Sequence, residues 1–448
     1  MSLTEAFNDI QVEISKMLAI PQHKIRVSVR RIGGGFGGKE SATPLVAVPP
    51  CLAALKLRKP VRLTLERFDD MAMSGNRHPY HFDYRIALDR DYTFVDLELR
   101  AFSNAGHTED LSMAVMERCL QHVTNSYNVV NVDAVGRVCR TNLASNTAFR
   151  GFGAPQGMFV MESAIVQAAD QLGIEVDELR ERNLHREGGR TFYGMKLEQC
   201  NARRCWDECK RNSDYARRKR EVAEFNRLPQ TLISSHHPTL KRGIHMVPTM
   251  FAIGYCRKHL SQAGALLLVY VDGSVLVSHG GMEMGQGLHT KIIQIVSRCL
   301  RIDYDLIHIQ DAATDKVPNA SPTSASIGSD LNGLAVQDAC EQLNERLAPV
   351  RADKPNASWP EIVHEAYMRT ISLAVTGHGR IPTEDSDFVT GVPGSMCDYA
   401  VYGTSCTEVE VDCLTGDHRL LRVDIVMDVG DSLNPAIDIG QIEGAYVQ

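Results

Sequence analysis

The chain has 448 residues, more than one ordinary hydrophobic core accommodates, so two or more domains or subdomains are expected. Hydrophobic residues make up 44% and charged residues 23%, the balance of a soluble globular protein, and a net charge of −7 without a basic block argues against a nucleic-acid partner. The longest clean apolar run, Ala265 to Val271, is too short to span a bilayer, and the N-terminus lacks a secretory signal pattern, so the sequons at Asn319 and Asn356 carry no glycosylation reading.

Residues 1–24 predict a helix, with Phe7, Ile10, Val12, Ile14, Met17 and Leu18 forming a stripe. Ile25, Val27 and Val29 then alternate as in a half-buried strand. This strand delivers the run Gly33-Gly34-Gly35-Phe36-Gly37-Gly38-Lys39-Glu40. Five glycines in six residues remove side chains where backbone must approach a ligand closely or take φ > 0. Gly33-x-Gly35-x-x-Gly38 satisfies the dinucleotide spacing, but Pro44 and Pro49-Pro50 interrupt the helix that motif requires. Gly33-x4-Gly38-Lys39 resembles a phosphate loop, yet Glu40 stands where a Mg²⁺-binding hydroxyl belongs and would repel phosphate.

A short helix is expected over 51–57 and a strand over 60–66, with Val61, Leu63 and Leu65 alternating. Residues 80–104 predict a hairpin split by Asp89-Arg90-Asp91. A second glycine loop spans 146–157, and a helix should run from Pro155 to Gly173. Residues 174–240 are charged and read as irregular. Within them Cys200, Cys205 and Cys209 stand one residue off an iron–sulfur spacing, and are better read as thiols on a short helix around Trp206. Twelve cysteines without a C-x2-C pair suggest reduced structural thiols rather than a zinc ribbon. His236-His237 reads as part of a solvated loop rather than a metal site.

Leu266–Val271, Asp272-Gly273 and Val275–Val277 form a strong hairpin signal. The hairpin leads to a third glycine loop at 279–287 and then a helix ending near Arg301. A fourth loop of small polar residues, 320–330, precedes a helix from Asn332 to Leu347. A further helix over 360–372 holds His364-Glu365, which misses a zinc-protease motif because Met368 replaces the second His. A hairpin over 408–428 leads into Asn434-Pro435 and the opening of a last helix, and an end at Gln448 within that element suggests a truncated chain. No G-x-S-x-G elbow is present, which argues against a serine hydrolase.

The four loops share one design: no bulk, available backbone amides, and one or two long polar side chains, here Glu40, Arg150, Gln286 and Ser326. Such loops suit a large polar anionic cofactor gripped from several sides. The segments 33–40, 147–153, 283–291 and 440–444, in this order, resemble the molybdopterin-binding part of the xanthine dehydrogenase family. The resemblance runs from about residue 10 to the end.

It implies an α+β fold of mixed sheets and helices in two subdomains, 1–240 and 241–448, and hydroxylation of a heterocycle carbon with water-derived oxygen. By family position, Phe36, Gly37, Arg150 and Ala325 line the molybdenum centre through their backbones, without being side-chain ligands. Met284, Gly285, Gln286, Ser326 and Gln448 would hold the pterin. Glu40 and Arg118 match the pair that suits a purine, a carboxylate for ring N–H groups and a guanidinium for a carbonyl oxygen. Aldehyde oxidases generally lack that pair, and aldehyde oxidation is the alternative activity.

Phe152 is one expected aromatic wall. The other is Tyr255, where the family has Phe, followed by Cys256 for the usual Thr, and Gly328 replaces a usual Ser. The resemblance further implies two 2Fe–2S clusters, FAD and NAD on segments of the same protein outside these residues. It also implies a homodimer, a cytoplasmic location extending to the peroxisome, and no membrane or nucleic-acid partner. The family's general-base Glu, in a G-E-P-P segment, has no match up to residue 448, so the chain alone is expected to be inactive or a non-catalytic gene fragment.

Overall fold

The computed structural model describes residues 4–227, 239–383, 385–386 and 397–448. The His236-His237 pair lies outside the described residues.

Helix α1 (Phe7–Leu18) buries Phe7, Ile10 and Ile14, part of the expected stripe, and ends at Ala19 in a left-handed conformation. The strand expected over 25–32 shrinks to β1 (Ser28–Val29), because only Ala312 and Ala313 of β9 (Ala312–Ala313) lie beside it. Val27, Val29 and Ile32 are nevertheless buried with α1 and Met282 in one small core, so the alternation is real although the ladder is short. Helix α2 runs from Pro44 to Leu57, straight through Pro49-Pro50, which corrects the expected interruption. It has no fully buried residue, so water can reach the carbonyls that the two prolines leave without donors. The strand expected over 60–66 does not form: the segment is irregular, Val61 and Leu63 are exposed, and α3 (Arg67–Met73) follows. Alternation alone makes no strand without a neighbouring edge to pair with.

The expected hairpin is β2 (Tyr80–Leu88) and β3 (Phe94–Gly106), joined in antiparallel register. From β3 the chain crosses through α4 (Ser112–Gln121) to β4 (Asn131–Arg140), parallel to β3. The second loop then releases α5 (Ala154–Leu172), closed by Gly173 at φ 67°. Helices α6 (Val176–Asn183), α7 (Ala202–Asn212) and α8 (Tyr215–Arg227) overturn the irregular reading of 174–240. Cys205, Trp206 and Cys209 are buried on α7, as the short-helix reading expected, and among the described residues no cluster has metal-ligand geometry.

Strands β5 (Leu240–Ile253), β11 (Tyr399–Asp412) and β12 (His418–Asp428) form an antiparallel sheet with β11 in the middle. Met246 of β5 and Cys406 of β11 enter the core that holds β3, α5 and Trp206. The remaining sheet has the order β10-β6-β7-β8, from β6 (Gln262–Val269), β7 (Val275–His279), β8 (Ile307–Ile309) and β10 (Ala374–Arg380). Helices α9 (Leu288–Leu300), α10 (Gly328–Asp353) and α11 (Trp359–Met368) supply the other half of its core, through Ile292, Val296, Leu343 and Val363 among others. Helix α12 (Pro435–Val447) lies on the surface near the second and third loops. No helix among the described residues is long and apolar enough to cross a membrane. The whole is a mixed α and β structure, as expected.

Candidate cofactor and substrate site

The first glycine loop is held by a residue that sequence reading missed. Glu5 is buried, and its Oε1 accepts from the amides of Gly37 at 2.9 Å and Lys39 at 3.4 Å. A Cβ at Gly35 would stand 2.2 Å from that same oxygen, so only glycine admits the carboxylate. Lys39 turns its Nζ back onto the carbonyl of Gly34 at 2.7 Å. Phe36 takes φ 57° and leaves its ring half exposed. Its carbonyl accepts from the Arg150 amide at 2.9 Å, which joins the first and second loops.

Arg150 is the second junction. Its Nη2 donates to the carbonyl and side chain of Gln441 at 3.0 and 3.1 Å, and its Nη1 to Oε1 of Gln448 at 3.1 Å. Arg77, another residue absent from the sequence reading, donates to the Arg150 carbonyl at 2.7 Å and lies over the Phe149 ring. Burial lowers the pKa of both arginines.

In the third loop Glu283 takes the part that Glu5 takes in the first. Its carboxylate accepts from Gly285, Gly287 and His289 amides at 2.8, 3.1 and 2.9 Å. Its carbonyl accepts from Ile32 at 3.0 Å, tying this loop to the first. Gln286 folds back on its own loop, accepting from the Met284 amide and donating to the Met282 carbonyl. In the fourth loop Ala325 and Ser326 take φ 55° and 58° in succession, and the Gly254 amide donates to Ala325. Thr323 donates its amide to Glu5 and accepts from Met282 through Oγ1. Four loops distant in sequence thus converge, with Phe36, Gly37, Arg150, Gln448, Met284, Gly285, Gln286, Ala325 and Ser326 all on this network or its rim.

The substrate candidates fall in two linked groups. Glu40 is half-buried, with Ser324 among the groups that act on its carboxyl. Its pKa is pushed up to about 8, first by removal from water and then by the carboxylates of Glu5, Asp9 and Asp110, while Ser324 opposes the shift. Tyr255 is buried, and its hydroxyl lies 2.6 Å from the Pro322 carbonyl and 3.0 Å from Ser324 Oγ, so the polar tip that replaces a plain ring has partners. Arg118 is buried in the other group. It donates to Gln121 Oε1 and to the Gly254 carbonyl, each at 2.8 Å, and so grips the backbone next to Tyr255 and Cys256. Burial pushes the Cys256 thiol up, and the Arg118 charge partly offsets this. Phe152 is half-buried at φ 51°, and among the described residues it makes no ring pair with Tyr255. Gly328 begins α10 beside Thr323, where a Cβ would make ordinary contact.

Two observations fit an anionic pterin-type group. Helix α10 opens from the fourth loop without a side-chain cap, leaving first-turn amides for water or an anion. At Gly285, φ 102°, the space a Cβ would occupy is open.

Comparison with known proteins agrees with this chemistry. Residues 1–184 and 208–448 each match a molybdopterin cofactor-binding domain family. The chain is 48% identical over 435 residues to the xanthine dehydrogenase/oxidase of Rattus norvegicus, covering 97% of this chain and 32% of that protein. It is 44% identical over 454 residues to a nicotinate hydroxylase of Emericella nidulans, covering 100% of this chain and 33% of the relative. The chain thus spans about a third of the length of the curated relatives it matches. Among solved structures, the aldehyde oxidoreductase of Desulfovibrio desulfuricans superposes with a TM-score of 0.86 at 26% identity, over 98% of this chain and 46% of the other. Quinoline 2-oxidoreductase of Pseudomonas putida shares the fold, with a TM-score of 0.84 at 22% identity over 98% of this chain and 58% of the other. The chain therefore belongs to the molybdopterin cofactor-binding family and is similar to the matching third of xanthine dehydrogenase/oxidase.

Proposed function

We propose that this chain holds molybdopterin between its four loops and presents a purine to it, for hydroxylation of hypoxanthine and xanthine. The observation that carries this reading is the place of Glu40 on the cradle. Its amide donates to the Gly37 carbonyl at 3.2 Å at the end of the first cofactor loop, and Ser324, directly before Ala325 and Ser326 in the fourth, acts on its carboxyl. Cradle and heterocycle-binding carboxyl are therefore one site. Molybdopterin, when bound, supplies a redox-active metal that places a water-derived oxygen on a ring carbon. The chain's residues do the rest. Phe36, Gly37, Arg150 and Ala325 border the metal, while Met284, Gly285, Gln286, Ser326 and Gln448 hold the pterin. Glu40 bonds the ring nitrogens, Arg118 faces a ring carbonyl across Gly254, and Phe152 and Tyr255 flank the plane, with Cys256 at its edge. Two 2Fe–2S clusters, FAD and NAD, on segments of the same protein outside this chain, would supply the electron path, in a cytoplasmic homodimer.

A pyridine carboxylate is the second substrate reading. The nicotinate hydroxylase likeness supports it, as does the raised pKa of Glu40, since a neutral carboxyl does not repel an anionic ring. In the complete protein, Glu40→Gln and Arg118→Met each lower kcat/KM for xanthine by on the order of 10²-fold, and small aldehydes are spared. Equal losses on xanthine and aldehydes would overturn the purine assignment. A greater rate on nicotinate than on xanthine would select the second reading. The family's general-base segment has no counterpart in these residues, so the chain alone is proposed to bind cofactor without turnover.

A further inference from the structure

The fourth loop contains a strained turn. Ala325 and Ser326, neither of them glycine, take φ 55° and 58° in succession, and such residues stay left-handed only where their surroundings over-determine them. The ring of Tyr255 shares a core with Ile327 and Leu331, just after this turn. Its hydroxyl reaches the Pro322 carbonyl at 2.6 Å, with Ser324 Oγ at 3.0 Å. The carbonyl can only accept, so the shorter contact takes the single phenolic proton. Pro322 also accepts from the Ser324 amide at 3.0 Å, which closes a tight turn directly before the left-handed pair. The backbone that carries Tyr255 is itself fixed. The Gly254 carbonyl accepts from the buried Arg118 guanidinium at 2.8 Å, and the Gly254 amide donates to the Ala325 carbonyl at 3.1 Å. The Cys256 carbonyl accepts from the Ser386 amide at 3.1 Å. At Gly254, φ 114°, a Cβ would stand 2.2 Å from the Asp398 carboxylate.

We propose that Tyr255 is a positioning residue for the cofactor: its hydroxyl latches the fourth loop at Pro322 and holds Ala325 and Ser326 left-handed before a cofactor arrives. A loop already in its binding shape spares a pterin-type ligand the cost of ordering it. The latch has a second consequence, on the substrate side. With its proton committed to Pro322, the Tyr255 hydroxyl has none to donate to a heterocycle, and what Tyr255 presents is its ring. Burial pushes the pKa of the phenol up, so the donor keeps its proton across the neutral range. This inference rests on the reading of the fourth loop as a molybdopterin loop, but its first test needs no cofactor.

That test is amide hydrogen exchange on the complete protein prepared without cofactor. In Tyr255→Phe, which keeps the ring, exchange rises about five- to tenfold over 320–331 and 253–256, the factor that one hydrogen bond is worth. The second segment responds because the Gly254 amide bonds Ala325. The third loop, 283–289, keeps its protection. Ser324→Ala leaves the Pro322 bond in place and changes exchange over 320–331 by no more than about twofold. Loaded protein gives a second readout: molybdenum leaves Tyr255→Phe about fivefold faster than the unsubstituted protein. Unchanged exchange in Tyr255→Phe, a rise spread evenly over the protein, or an equal rise in Ser324→Ala would each overturn the latch. Equal release of molybdenum from both proteins would overturn its role for the cofactor. The molybdopterin reading fails separately, if the unsubstituted complete protein takes up no molybdenum.

Discussion

Glu5 and Glu283 each commit a carboxylate to loop amides, and a Cβ would strike the Glu5 carboxylate at Gly35 and the Ile437 side chain at Gly287. Glu5 raises the cost of ionising Glu40, and burial pushes the pKa of both carboxyls up. The pH dependence of Glu40 follows with a definite sign. Its folded pKa of about 8 exceeds the ordinary 4.5, so the folded state binds the proton more tightly. The stability it contributes is complete below about pH 4.5 and is lost as pH rises through about 8. Urea unfolding of the chain and of Glu40→Gln across pH 4 to 9 should therefore give curves that diverge. The unsubstituted chain loses stability relative to the variant as pH rises, and parallel curves would mean that Glu40 titrates normally.

At the scale of elements, β10 shows why a strand carries two glycines. A Cβ at Gly377 would stand 2.0 Å from the carbonyl of Ala335, and one at Gly379 would stand 2.3 Å from that of Leu331. The backbone of α10 thus lies directly on the strand, which fixes the helix whose first turn opens at the fourth loop. Gly377→Ala should push α10 away and destabilise the protein by about 2–4 kcal/mol, since overpacking against backbone has no flexible side chain to yield. Thermal unfolding measures it, and a Tm unchanged within a degree or so would show that the interface can open. The three helices of 174–240 illustrate a different point. Two of their arginines are interior groups: Arg180 is 1% exposed and bonds Glu162, while Arg218 bonds Glu408 and Asp424. Paired in this way, charge fills the buried face of a helix that composition alone makes look irregular. The unformed strand at 60–66 is the converse case, because its apolar alternation has no strand beside it.

At the scale of the whole molecule, Arg150 is the tie between the first loop, the second loop and α12, which itself has no buried residue. Ile437 against Gly287, Lys291 with Asp438 and Thr407 with Tyr446 add single contacts along the helix. Arg150→Ala should therefore loosen α12 selectively. Amide hydrogen exchange should rise several-fold or more over 435–447 while the cores around Leu343 and Trp206 keep their protection. Uniform protection in the variant would mean that the helix is held by its other contacts. The sequence by itself determined the glycine loops, the three hairpins and the helices that leave the loops, because φ > 0 and short-range periodicity are properties of neighbouring residues. It also named Glu40, Arg150 and Tyr255 through the motifs that contain them. Only the tertiary structure decided that Glu5 holds the first loop, that Glu283 ties the third loop to it through Ile32, that the arginine-rich segment is helical, and that Tyr255 bonds the fourth loop at Pro322 and Ser324. Those contacts join residues tens to hundreds of positions apart, and packing of the three sheets and their helices, rather than any local pattern, brings them within hydrogen-bonding distance.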